Sequence, residues 1–502
     1  MKKKKFEFPS AFTVLFIIMV LSAVLTYLIP SGRFSKLVYD RGSNEFVITD
    51  QQGETTAKPA TQEVLKELNI DLPLEKFTKE IIKKPMSIPG SYKRIPQQPQ
   101  GFMEIIQAPI AGITDSVDIM IFVLILGGII GIINKIGAFD AGIAALSKKT
   151  KGKEFILAFM IFTLITLGGT TFGMAEETIA FYPILMPIFL VSGFDAMTCI
   201  AAISLGSIIG SMFSTINPFS MIIASNAAGI SFTEGLVFRI IALILAAAIT
   251  IIYIYRYTEK VKKDRTKSVV YDQEKEIRER FLSNYEEGSK SEFTLRKKLS
   301  LLIFAMAFPV MIWGVSIEGW YFGEMSALFL TVAIVIMVVS GLPEKKSVSA
   351  FIQGAGDLIG VAMAVGLARA INVIMDNGYI SDTLLDFFSH LVAGMNSGIF
   401  ALMQFGIFSV LGIFIQSSSG LAVLSMPIMA PLADNAGVSR EIIINAYSWG
   451  QGLMSFITPT GLVLVFLEMV GVTFDKWLKF VLPLFGIIAA FSAVMLVINT
   501  MF

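Results

Sequence analysis

Apolar stretches of membrane-spanning length alternate with short polar connectors along most of the chain. Runs near 11–30, 118–135, 236–257, 299–317, 325–342 and 477–499 approach the roughly 20 residues that cross a bilayer core. Two stretches depart from plain apolar runs, 169–187 (GTTFGMAEETIAFYPILMP) and 412–431 (GIFIQSSSGLAVLSMPIMAP). Each has an apolar lead, a small polar knot and then Pro-x-x-x-Pro. Charges and clustered hydroxyls at membrane depth are costly, so such knots point to a substrate or ion site.

The segment from Glu154 meets Gly168-Gly169 after about 14 residues, which is short for a span. It therefore reads as one arm of a re-entrant hairpin turning through TTFGMAEE, with two complete spans as the alternative. Irregular backbone at that depth requires burial in protein or a cavity. The segment 197–228 is interrupted at Asn217-Pro218, where proline removes a backbone donor and clashes with the preceding turn. The segment 442–470 is interrupted at SFITPTG, around Pro459.

The two halves carry matching landmarks. One offset, 244 residues, takes Pro183 to Pro427 and Pro187 to Pro431, while 241 takes Pro218 to Pro459. An offset of 242 takes Gly229-Ile-Ser-Phe to Gly471-Val-Thr-Phe. Charged connectors set the orientation: Lys2 to Lys5 place the N-terminus in the cytoplasm, as do Lys148, Lys149, Lys151 and Lys153 for the first inner loop. The second copy begins at PEKK (343–346) on the inside, the first on the outside, which is the inverted-repeat plan of secondary transporters. The expected fold is an all-α polytopic membrane protein with two inverted-topology repeats, each with a re-entrant helical hairpin and a broken transmembrane helix. Its parts are an anchor helix (1–30), an extracytoplasmic polar segment (31–104), the first repeat (105–258), a charged cytoplasmic linker (259–298), a helix pair (299–346) and the second repeat (347–502).

Composition narrows the class. The 502 residues are 54% hydrophobic and only 16% charged, and the mean hydropathy is +0.72. No basic, aromatic-interleaved patch suggests nucleic acid. Cys199 is the single cysteine and no Cys/His cluster resembles a metal site, so no cofactor is expected beyond a coupling sodium or proton. The N-terminal MKKKKFEFPS and its apolar run read as a retained signal anchor rather than a cleaved leader. No His-based pair, G-x-S-x-G or metal motif supports an enzyme.

Two hairpin tips and two broken helices converging at the midplane would present half-helix N-termini to an anion. Candidate substrate-binding residues are Glu176, Glu177, Asn217, Ser220, Arg369, Asn372, Ser417, Ser418, Ser419, Asn445, Thr458 and Thr460. Pro218 and Pro459 mark the helix breaks, and sodium would sit near Thr171, Ser214, Gln416 and Ser455. One glutamate would bind a substrate cation or carry the coupling proton; the competing role is a helix-terminal charge. Arg369 calls for a buried partner, a tip glutamate or a substrate carboxylate, with snorkelling as the alternative.

FGMAEETIAFYP, GSMFSTINPFS, GLARAIN, IQSSSGLAVLSMP and SWGQGLMSFITPTG together resemble the YfcC family. That family is grouped with anaerobic four-carbon dicarboxylate carriers and arginine/ornithine antiporters, within the larger ion transporter superfamily. The resemblance implies a multi-pass protein of the bacterial inner membrane, hairpin-tip binding sites, a homodimeric scaffold among membrane lipid and elevator-type alternating access. It implies exchange of amino acids, basic ones such as arginine and ornithine first, or sodium- or proton-coupled carriage of a four-carbon dicarboxylate.

Overall fold

The computed structural model describes residues 9–79, 82, 84–139, 141–142, 154–282, 293–318, 320–392 and 395–501. Lys2 to Lys5 and the lysines at 148, 149, 151 and 153, on which the expected orientation leans, lie outside them, as does part of the 259–298 linker. In a bilayer each backbone N–H and C=O must be satisfied within its own segment, so apolar runs of this length become helices. Among the described residues, eight helices are long and apolar enough to cross a membrane. The chain is an all-α polytopic membrane protein in its spanning part.

Helix α1 (Ala11–Leu28) is capped by the Ser10 hydroxyl. A small β domain follows: β1 (Gly32–Arg33), β2 (Lys36–Asp40), β3 (Glu45–Thr49), β4 (Thr55–Pro59), helices α2 (Gln62–Glu67) and α3 (Glu75–Thr78), β5 (Met86–Ser87) and β6 (Lys93–Arg94). Four strands form an antiparallel sheet in the order β4-β3-β2-β5, and β1 pairs with β6. The β2–β3 turn is tight enough to put Asn44 at φ 54°. The domain has its own core of Leu37, Phe46, Leu65, Phe77 and Met86, with Phe46 and Phe77 edge to face at 5.2 Å. The polar 31–104 segment is thus a folded module.

The first half continues with α4 (Phe102–Asp115), α5 (Val117–Lys135), α6 (Glu154–Phe172), a 3-10 turn (Glu176–Phe181), α7 (Tyr182–Val191), α8 (Ala196–Met212), a π turn (Pro218–Ile222), α9 (Ile223–Ala227) and α10 (Leu236–Lys263). Helix α11 (Glu274–Leu282) lies in the linker, and α12 (Leu295–Trp313) and α13 (Phe322–Ser340) form the connecting pair. The second half is α14 (Glu344–Asp357), α15 (Ile359–Asn377), α16 (Ser381–Val392), α17 (Ser397–Phe414), α18 (Ser418–Asn435), α19 (Arg440–Met454), α20 (Val463–Val470) and α21 (Phe474–Asn499).

Element lengths repeat between the halves. Helices α4 and α14 have 14 residues each, and α5 and α15 have 19 each. Their packing is reciprocal: α4 lies on α15 and α5 on α14, as two-fold-related halves require. Small residues bring those backbones together. A Cβ on Gly112 would stand 2.4 Å from the Gly366 carbonyl oxygen, and one on Gly354 would stand 2.3 Å from that of Gly127. Gly112 and Gly354 are themselves 242 apart, within the offsets that relate the proline landmarks. Further in, α6 packs along α8, α17 along α19, and α8 meets α19 at the centre.

One local length differs from expectation. α6 does not stop at Gly168-Gly169 after about 14 residues but runs through it to Phe172, and the chain then reverses within TTFGMAEE as expected. The pair serves close packing instead, since a Cβ on Gly169 would be 2.8 Å from the Ser207 carbonyl oxygen on α8. The helix is therefore 19 residues long, and the reversal comes after it.

Candidate functional site

The first tip begins at Gly173, whose φ of +76° suits glycine and whose missing Cβ leaves room for Asn217: an added one would lie 2.7 Å from the Asn217 Nδ2. The Ser207 hydroxyl of α8 donates to the Met174 carbonyl, and Thr178 Oγ1 donates to that of Ala175 at 2.6 Å. Glu177 folds back so that its Oε2 accepts from the Ala175 N–H at 3.0 Å, and the residue is buried. Glu176, half-buried, makes no ion pair among the described residues. The adjacent carboxylates therefore differ: one closes its own turn, the other faces the open space.

The break after α8 is held against that tip. Thr170 Oγ1 accepts from the Thr215 N–H at 2.9 Å, and the Thr170 carbonyl accepts from the Ile216 N–H at 3.2 Å. The Asn217 side chain caps the π turn, accepting from the Phe219 N–H at 2.9 Å just after Pro218 has left the turn without its donor. In the second half Gln451 Nε2 donates to the Ile415 carbonyl at 3.0 Å and to that of Gln416 at 3.3 Å. This brace sits where Ser207 sits in the first half, 244 residues earlier. Thr460 Oγ1 donates to the Ile413 carbonyl at 3.2 Å, and Ser417 Oγ accepts from the Gly420 N–H at 3.1 Å as the N-cap of α18. Tyr447 ties α19 to the tip by donating to the Ser418 carbonyl at 2.6 Å.

These elements enclose a cavity of about 390 Å³. Ten of the residues singled out for substrate line it: Glu176, Glu177, Asn217, Ser220, Arg369, Asn372, Ser417, Ser418, Ser419 and Thr460. Asn445 does not: its Nδ2 donates to the Asn499 Oδ1 at 2.9 Å in the packed contact between α19 and α21. Thr458 stands one step behind the wall, hydrogen-bonded to Thr460 at 2.7 Å. Of the positions considered for sodium, Gln416 and Ser455 line the cavity. Thr171 bonds the Leu167 carbonyl of its own helix, and Ser214 that of Thr170, so the four do not share one cluster. Among the described residues, no group of three or more His, Cys, Asp or Glu is placed to hold a metal ion.

Arg369 projects from α15 into the cavity with no hydrogen bond or ion pair to any described residue, and its field reaches Glu176 and Tyr321. The wall also includes Ser204, Ser207, Ser448, Gln451, Trp320 and Tyr321, as well as Lys84 of the β domain. Ser204 and Ser448 stand 244 residues apart, so the repeat offset already pointed at them.

A family model described as DcuC, C4-dicarboxylate anaerobic carrier, matches residues 8–501. The chain belongs to that family. Over 498 residues the carrier is 49% identical to an uncharacterised Haemophilus influenzae protein, covering 99% of this chain and 98% of the other. Over 514 aligned positions it is 27% identical to the Escherichia coli putative basic amino acid antiporter YfcC, covering 98% and 96%. Among solved structures, Neisseria gonorrhoeae MtrF, described with a class of antimetabolite efflux pumps, aligns with a TM-score of 0.39 and 14% identity over 98% of this chain and 95% of that one. The Alcanivorax borkumensis YdaH transporter aligns with a TM-score of 0.38 and 13% identity over 98% of each. The carrier is a multi-pass membrane transporter.

Proposed function

We propose that this carrier is a secondary antiporter of the bacterial inner membrane, with its N-terminus in the cytoplasm, that exchanges amino acids, basic ones such as arginine and ornithine first. The observation that carries the reading is the meeting of opposite charges in one chamber: Glu176 and Glu177 from one tip, Arg369 from α15. A zwitterion needs both signs. Its carboxylate goes to Arg369 and the N-terminus of α18, where Ser417 to Ser419 add donors. Its cationic side chain goes to Glu176. The Escherichia coli relative, a putative basic amino acid antiporter, supports this substrate class.

Alternating access of elevator type moves the tips and broken helices against a scaffold in which α4, α5, α14 and α15 interlock. A homodimer would present that scaffold as its shared wall. A second reading, a sodium- or proton-coupled carrier of four-carbon dicarboxylates, is favoured by a second cation in the cavity, Lys84, and by the family's description. There the glutamates serve the coupling cation.

Counterflow in proteoliposomes against a panel of amino acids and dicarboxylates, with and without sodium, separates the two. Arginine or ornithine exchange lost in Glu176→Gln supports the first. Uptake confined to succinate-like acids overturns it.

A further inference from the structure

The β domain does more than fold beside the helices: it reaches into the cavity. Lys84 lies at a bend just before β5, next to Pro85 and between two buried anchors, Ile82 and Met86. Strand β5 then pairs Met86 with Leu37 and Ser87 with Lys36, and packs on α18. The domain is tied on both sides. Phe34 N–H donates to Asp382 at 2.9 Å and the Ser31 hydroxyl to the Gly378 carbonyl at 2.8 Å, next to α15 and α16. Lys76 Nζ donates to Asn226 Oδ1 at 2.8 Å, and Arg440 reaches Asp71 at 3.3 Å, next to α9 and α19. The domain that carries Lys84 is thus held in place, while Lys84 itself is exposed.

Its Nζ donates to the Ser419 hydroxyl at 2.5 Å, at the start of α18. An ammonium has three N–H donors, and this neutral hydroxyl takes one. No described carboxylate pairs with it. Its charged neighbour is another cation, Arg369; burial first, and that charge second, hold the lysine below its ordinary pKa. Two cations sharing a wall beside a helix N-terminus, each without an acidic partner, fit an anion that bridges them.

We propose that Lys84 is a substrate-binding residue, completing with Arg369 a two-cation carboxylate subsite that the transmembrane helices alone do not build. The inference rests on the cavity being the transport site and not on which substrate fills it. A monocarboxylate amino acid uses the subsite for its α-carboxylate, a dicarboxylate for one of its two.

The test is a binding cycle on the purified full-length carrier. Wild type, Lys84→Gln and Lys84→Arg are titrated with arginine and with arginine methyl ester, which lacks the carboxylate charge. Lys84→Gln is expected to weaken arginine by about tenfold or more, the scale of one charge-assisted hydrogen bond, and to leave the ester within about twofold. Lys84→Arg restores most of the loss. Equal losses for acid and ester, or no loss for either, overturn the assignment, because a residue that only stabilises the fold would not discriminate the two ligands. If arginine and ornithine do not bind and succinate does, the amino-acid reading falls by itself. The same cycle with succinate and dimethyl succinate, which carries no carboxylate, then decides Lys84, with the loss confined to the diacid.

Discussion

A single methyl group added to α8 should show how tightly the first tip is held. Gly210→Ala would place a Cβ 2.3 Å from the Thr166 carbonyl oxygen and 3.0 Å from the Gly169 Cα on α6. Ordinary contact begins near 3.4 Å, so the helices must separate by about 1 Å. Both obstacles are close to rigid, one a carbonyl and the other a Cα, and no side-chain rotation relieves them. The control is Gly406→Ala on α17, where nothing lies within 4 Å of the added atom. Alanine favours a helix interior over glycine by ~1 kcal/mol at either position, so that term cancels between the two variants. What remains is overpacking, of ~1–3 kcal/mol. Thermal unfolding in detergent, followed by intrinsic fluorescence, should place Gly210→Ala several degrees below Gly406→Ala, with the latter at or above wild type. Because Thr166 lies one turn before Thr170, which holds the backbone of Thr215 and Ile216, counterflow by Gly210→Ala should also slow at temperatures well below unfolding. A Gly210→Ala carrier as stable as Gly406→Ala would refute the close-packing account of α6 and α8.

Other outcomes follow from single contacts. Glu176→Gln should abolish arginine counterflow while leaving the unfolding temperature near wild type, as its carboxylate makes no ion pair among the described residues; a large stability loss would reassign it to the fold. Glu177→Ala should lose ~1 kcal/mol or more of stability in addition to transport, because it removes the acceptor of the Ala175 N–H. Gln451→Leu strips the donor from the Ile415 and Gln416 carbonyls, and should lower stability by ~1–2 kcal/mol and slow transport in the same assays. Phe46→Ala empties the β-domain core at ~3–5 kcal/mol, so limited proteolysis should cut within 31–104 before the helices.

The parts of this fold that could be read along the chain are those whose signal is local. Proline removes a donor wherever it falls, so Asn217-Pro218 and Pro459 marked interruptions that the structure places between α8 and the π turn and between α19 and α20. The polar knots around Glu176 and Ser418 stood out because their surroundings are apolar. The rest depends on distant partners. A Gly-Gly pair does not show whether a helix ends at it or continues through it against a neighbour, and the neighbour of Gly169 is Ser207, well downstream on another helix. Asn445 is buried and polar, as a binding residue would be, but its Nδ2 is bonded to Asn499, 54 residues later. Strand signals were present in KLVYD and EFVIT, where Leu37 and Phe46 alternate with outward residues. They were obscured by the prolines and mixed charges around them.

Lys84 marks the limit of reading the chain alone, and the reason is physical. Intramembrane charges draw attention because hydrocarbon makes them expensive. A lysine in a polar segment, among other lysines, carries no such penalty. Its consequence arises only when Ile82 and Met86 bury, β5 docks on α18, and the ammonium is carried to the Ser419 hydroxyl beside Arg369. The helices bring two carboxylates and one guanidinium to the chamber, and the β domain brings the second cation. A carrier assembled this way can set the charge of its site from outside the membrane layer, through a module whose sequence is constrained by solvent rather than by lipid. Removing that module's core by Phe46→Ala should therefore weaken arginine binding in the same ligand-selective manner as Lys84→Gln. Helices that keep their unfolding transition while acid-over-ester discrimination falls would separate this effect from general collapse.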